Sequence, residues 1–314
     1  MSDSAGDLAA LIEGLASDLA DALRGAAPGW LALGVALHLL NQVARGRGWY
    51  AIVRTATGAD AALRRRDAVA AWVAGAGAGG LASARGGDVV RVLLLRRHVA
   101  RADCTLLAGT LVAEGAGEIA TGALLLALAA GLGVAPAMGA PTPWALAALP
   151  ALAALVLLVR RVGVLRRTVA RAAAGCAALG SPRAYARDVL PWQCASRACR
   201  VASLACFLAA FSLPATLTAV LLVMFAQGSG RLLPFAPASV GAGVAMLAAT
   251  FGPATGSTVP TAQLAACFVA TSALLTLAGL VLTTAICLRE ARLRGVLDVV
   301  AALRGRPAGL RAAP

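Results

Sequence analysis

Apolar positions in this chain fall in long blocks, not in the strict alternation of a half-buried strand. Blocks at 28–44, 104–134, 144–159, 199–225 and 262–288 are 16 to 31 residues long, near the ~20 residues that a membrane-crossing helix needs. They predict five full spans. Two further blocks, 68–84 and 239–252, are short and carry glycines: Gly75, Gly77, Gly79 and Gly80 in the first, Gly241 and Gly243 in the second. A short apolar segment broken by glycine suits a re-entrant hairpin better than a crossing. Ahead of these blocks, Leu8, Leu11, Ile12, Leu15, Leu19 and Leu23 recur at helical spacing. They predict an amphipathic helix over 1–25, with Asp3, Asp7, Glu13, Asp18 and Asp21 on its polar side. That acidity gives anionic lipid no reason to attract it.

Composition sharpens the class. Hydrophobic residues make up 60% of the 314 positions, charged residues only 13%, and mean hydropathy is +0.81. Soluble domains run at roughly 45–50% apolar and about 25% charged. The chain reads as an all-α integral membrane protein. The net charge of +14 comes entirely from 28 arginines. In a soluble protein it would suggest nucleic acid; here it fits arginines that flank spans on the cytoplasmic side and meet anionic lipid.

Arginine position then sets topology. Segments 45–67, 85–103, 160–198 and 289–314, with Arg200, hold 26 of the 28, leaving Arg24 and Arg231 on the other side. The partition works only if both glycine-bearing blocks dip in and return, which puts the C-terminus in the cytoplasm. The chain then divides into an amphipathic helix at 1–25, a membrane domain at 26–290 and a basic tail at 291–314. Span–hairpin–span occurs twice with opposite orientation. That is the inverted-repeat pattern of transporters, with hairpins expected to meet near the midplane beside the 104–134 span.

The chemistry concentrates in 84–118. A glycine-rich turn carries Arg85, Asp88 and Arg91, and the following apolar helix holds Glu114 and Glu118. Acids four apart share a helical face. Glu114 lies 11 residues beyond Asp103, roughly 16 Å along a helix and so near the middle of a ~30 Å hydrocarbon core. A carboxylate at that depth needs a partner or a proton. Arg85, at the end of the first hairpin, is the nearest candidate partner, with Asp88 pairing to Arg85 or Arg91. A guanidinium grips phosphate in a two-pronged contact, although arginines flanking a span also snorkel to the interface. The polar residues His38, Asn41 and Gln42 in the first span read as hydrogen-bonding glue between helices. Arg45 and Arg47 read as closing that span, with Trp49 and Tyr50 in an interfacial belt.

The stretch Ala84, Arg85, Gly87, Asp88, Arg91 resembles the Ala-Arg-x-Gly-Glu-x-x-Arg motif of the flippase-like family, whose fold also forms the transmembrane part of lysylphosphatidylglycerol synthases. Asp88 stands where that motif has Glu, and Ser83 where proline often precedes it. The family's following Glu-Arg-x-x-Asp motif is here Glu114, Gly115, Ala116, Gly117, Glu118, without the arginine. Its C-terminal Pro-Gly-Gly-x-Gly segment is similar to Pro237 through Gly243. The resemblance covers about 28–290. It implies movement of a lipid or lipid-linked headgroup between leaflets, with substrate contacts at Arg85, Asp88, Arg91, Glu114 and Glu118.

Expected partners are membrane lipids, anionic phospholipid or polyprenyl-phosphate-linked lipid, in a bacterial or archaeal cell membrane. No catalytic residue, metal ligand set or cofactor is expected. The seven cysteines include no CxxC pair, and there are two histidines. Two alternatives stay open: an enzyme acting on polyprenyl-phosphate-linked substrates, and a partner subunit that does not transport.

Overall fold

The computed structural model describes residues 17, 20–21, 24–58, 63–81, 84–99, 102–132, 163–229 and 236–303, with side chains for all but 81, 84–85, 163–166, 229, 236–240 and 292–303. The described residues are almost entirely helical. The helices are α1 (Pro28–Thr57), α2 (Arg65–Leu81), α3 (Ala84–Arg96), α4 (Cys104–Gly131), α5 (Gly163–Gly175), α6 (Pro182–Asp188), α7 (Leu190–Ala210), α8 (Leu217–Ser229), α9 (Ala236–Thr255) and α10 (Thr261–Leu303). The 144–159 span and most of the expected 1–25 helix lie outside the described residues.

Two helices, Cys104–Gly131 and the Thr261–Ala291 part of α10, are long and apolar enough to cross a membrane. Local chemistry sets several helix ends. Pro28 opens α1, where a missing N–H costs nothing. Asp103 caps α4, its carboxylate accepting from the Leu106 N–H at 2.7 Å. In the last turn of α6, Arg187 forks onto Asp188 at 2.8 and 3.0 Å and holds that carboxyl below its usual range.

Twice the chain runs long helix, pair of helices, long helix. The first set is α1, α2 with α3, and α4; the second is α7, α8 with α9, and α10. In the first pair, Gly75 and Gly87 bring the backbones so close that a Cβ on Gly75 would meet the Gly87 carbonyl oxygen at 2.6 Å. The leading helices α1 and α7 pack antiparallel. Ala27 N–H donates to Ala210 O (2.9 Å), Ser203 to the Gly34 carbonyl and Ser196 to Asn41 (2.7 Å each). Such interhelical bonds hold apolar helices in register.

Several expectations are corrected. The helix does not stop at Ala44: α1 continues to Thr57, so Arg45 and Arg47 lie in its middle. Trp49 does not face outward as a belt residue would. It is fully buried and donates to Thr110 Oγ1 at 2.9 Å. The 199–225 block is two helices, not one. α7 ends in a Schellman turn in which Leu213 N–H reaches Leu208 O at 2.9 Å and Ser212 N–H reaches Ala209 O at 3.1 Å. Pro214 follows, as it commonly does after such a cap. The glycine-bearing pairs do not make their main contacts with each other. α2 instead crosses α10, where a Cβ on Gly77 would meet the Gly279 carbonyl oxygen.

Ser212 occupies the left-handed position of that cap with φ 55°, which costs a non-glycine residue roughly 1–2 kcal/mol. Its side chain is exposed. Ser212→Gly is expected to stabilise the protein by about 1 kcal/mol once glycine's extra chain entropy is set against that strain. The check is thermal unfolding in detergent, and a lower midpoint would count against the turn.

Two apolar cores flank the centre. One joins Leu204, Phe207, Leu221, Leu247, Phe251 and Phe268 from α7 to α10. The other joins Trp49, Val53, Trp72, Val92, Leu95 and Leu107 from α1 to α4. Polar residues of α1 and α7 lie between them.

Candidate functional site

Three helices, α1, α4 and α7, bring one charged cluster together. Arg45, halfway along α1, donates through Nη2 to Glu114 Oε1 at 2.7 Å and through Nε to the same oxygen at 3.3 Å. The same Nη2 lies 2.5 Å from Glu118 Oε1. One guanidinium therefore holds the i, i+4 acid pair of α4. From α7, Arg197 completes the group: Nη2 is 3.8 Å from Glu118 Oε1 and donates to the Glu118 carbonyl oxygen at 3.1 Å, while Nε donates to Thr121 Oγ1 at 3.2 Å. Glu114 is only 7% exposed. At that burial an ion pair persists only with good geometry and its remaining bonds satisfied.

Neighbouring side chains set that geometry. Gln193 donates to the Glu114 carbonyl oxygen (3.3 Å) and to Tyr185 Oη (3.2 Å), and Tyr185 donates to the Ala113 carbonyl oxygen (3.1 Å). Gly117 makes room for both, since a Cβ there would lie 2.1 Å from Gln193 Oε1 and 2.3 Å from Tyr185 Oη. On the other flank, the guanidiniums of Arg45 and Arg91 lie over the Trp72 ring, 4.8 and 3.9 Å from its centroid.

Glu114 and Glu118 come together as their spacing predicts. Asp88 pairs with Arg91 at 2.7 Å, and Arg91 reaches the cluster across Trp72. Arg85 lies in the first turn of α3, its side chain outside the described residues. The cation found between the two acids is Arg45, read from the sequence as closing the first span; the expected Arg85 contact lies outside the described residues. Sequence reasoning also missed Arg197, Gln193 and Trp72. A signal for Arg45 was available: the apolar run resumes after Gly46 and Gly48 through Trp49, Ile52 and Val53, so the helix did not have to stop. For Arg197, nothing local distinguishes it from the other arginines of its basic stretch.

An all-helical fold with two helices long and apolar enough to cross a membrane, and a charged cluster held between helices, fits a helical membrane protein. The chain belongs to the lysylphosphatidylglycerol synthase transmembrane-region family, which matches residues 8–282. That span contains every residue of the cluster. No curated protein and no solved structure matches the chain.

Proposed function

We propose that this protein moves a lipid or lipid-linked headgroup between bilayer leaflets, using the Arg45–Glu114–Glu118–Arg197 cluster as the polar step on the way. The observation that carries the reading is Arg45 held between two carboxylates on an otherwise apolar helix. Charge at such depth is costly and, in membrane helices, usually serves a ligand path. Membership of a lipid-related family points the same way. The two glycine-bearing helix pairs serve as the re-entrant elements beside that path. The protein acts as a carrier rather than as an enzyme, and its partners are membrane lipids.

The test is headgroup translocation in vesicles containing this protein alone, with and without divalent metal. Metal-independent movement is the expected result. Metal-dependent turnover of a polyprenyl phosphate would favour the enzyme reading, and movement only with added proteins would favour the partner-subunit reading.

On this reading the N-terminus lies outside and the C-terminus in the cytoplasm, with five crossings and both pairs re-entrant. A cysteine placed at position 310 of a cysteine-free version is expected to react only with reagent supplied from inside. Labelling from outside would reject both this orientation and the re-entrant α8–α9 pair.

A further inference from the structure

Where α10 crosses α2, the two helices run antiparallel along one seam. A Cβ on Gly80 would meet Thr276 Cγ2 at 3.5 Å, a Cβ on Gly77 would meet the Gly279 carbonyl oxygen, and Thr283 Oγ1 donates to Ala74 O at 3.0 Å. Positions 80, 77 and 74 of α2 thus fall as positions 276, 279 and 283 of α10 rise. Seven residues further on, about two turns, the same register sets Asp67 across from Glu290. Two acids face each other at the end of a close-packed seam, where like charges repel.

His98, two residues past the end of α3, lies between them. Its Nδ1 is 4.0 Å from Asp67 Oδ2 and its Nε2 is 3.5 Å from Glu290 Oε2. All three side chains are half-buried, so solvent screens their charges less than it would at an open surface. The His98 N–H is tied back to Leu95 O at 2.9 Å. That holds the ring at the C-terminal end of α3, where positive charge is favoured. The other charged groups nearby are accounted for. Arg66 is exposed and lies 3.6 Å from the second oxygen of Asp67. Arg96 turns to Cys104 Sγ of α4 at 3.6 Å, and Asp103, the cap of α4, meets Arg171 at 3.5 Å. Arg97 and Arg289 adjoin His98 and Glu290 in sequence.

A neutral imidazole has one N–H and one lone pair. It can donate to one of these carboxylates and must turn a lone pair on the other. An imidazolium donates from both nitrogens and sets a positive charge between two negative ones. Imidazole is also the side chain whose charge changes between about pH 5 and 8. We infer that His98 is a proton-operated clasp. Protonated, it ties α10 at Glu290 to α2 at Asp67. Neutral, it leaves the two acids to repel and frees α10 beyond Thr283. The clasped form binds the proton more tightly than the released form, so acid favours closure and a rise in pH favours release. The clasp shares no residue with the Arg45–Glu114–Glu118–Arg197 cluster, and its test does not depend on transport.

The experiment is amide hydrogen exchange on the purified full chain in neutral detergent, at about pH 5.5 and pH 8, read over residues 284–303. Comparing each variant with the parent at the same pH cancels the pH dependence of the exchange chemistry. At the lower pH, His98→Gln is expected to exchange about tenfold faster than the parent in this segment, the change that one linked proton allows per pH unit. At the higher pH the two are expected to agree. His98→Lys keeps a positive charge and is expected to stay protected at both. In a Glu290→Gln background, replacing His98 by Gln is expected to change nothing. Equal protection of the parent and His98→Gln at the lower pH would overturn the inference. So would a difference of the same size at both pH values, which marks a merely structural histidine. If His98→Gln does not fold, His98→Lys decides: a parent as well protected as His98→Lys at the higher pH would overturn the clasp.

Discussion

Arg45→Gln is expected to destabilise the protein by about 3–5 kcal/mol, the usual cost of removing one partner from a buried ion pair. Glu114 would lose both of its guanidinium contacts, and Glu118 would lose Arg45 while keeping Arg197. Restoring charge balance should reverse most of the loss. In the double substitution Arg45→Gln, Glu114→Gln, the amides keep size and polarity and the Glu118–Arg197 pair remains. Denaturant or thermal unfolding of the two singles and the double gives the coupling directly. A double no more stable than Arg45→Gln alone would show that the pair is not the unit described here.

The balanced double also separates structure from transport. It is expected to fold and insert, yet to move headgroups no faster than protein-free vesicles, because the path loses its central charges. The pair Glu114→Gln, Glu118→Gln is a poorer test, since it leaves Arg45 without a counter-charge and confounds stability with activity. The measurement is translocation by the reconstituted double beside its unfolding temperature. Transport at the parent's rate would show that these charges are architectural, and the carrier reading of the cluster would fall.

How far the sequence reached depended on whether the signal was local. The acids of α4 were legible because carboxylates four apart in an apolar helix share a face whatever surrounds them. The Asp88–Arg91 pair was legible for the same reason. The close packing of the 68–84 block was legible in its glycines. Arg45 was misplaced because an arginine after an apolar run reads as a span end. The residues that decide otherwise are Glu114 and Glu118, about seventy positions away. The break between α7 and α8 was written in Phe211-Ser212-Leu213-Pro214, but the surrounding hydropathy is so uniform that length prevailed over the turn. Trp72 carried no local signal, because the cations that make it central arrive from α1 and α3.

The 43 residues of α10 reach about 65 Å at ~1.5 Å each, twice the ~30 Å hydrocarbon thickness. The helix is continuous and crosses α2 closely at Gly279, against Gly77, with Thr283 donating to Ala74 O at 3.0 Å one turn on and Glu290 lying 3.5 Å from His98. From that crossing to Leu303 it extends another ~36 Å. It is thus a lever with its fulcrum at the crossing with α2. A tilt of a few degrees where the helices touch becomes a displacement of several ångströms at the far end, large enough to be followed by spectroscopic distance labels outside the membrane.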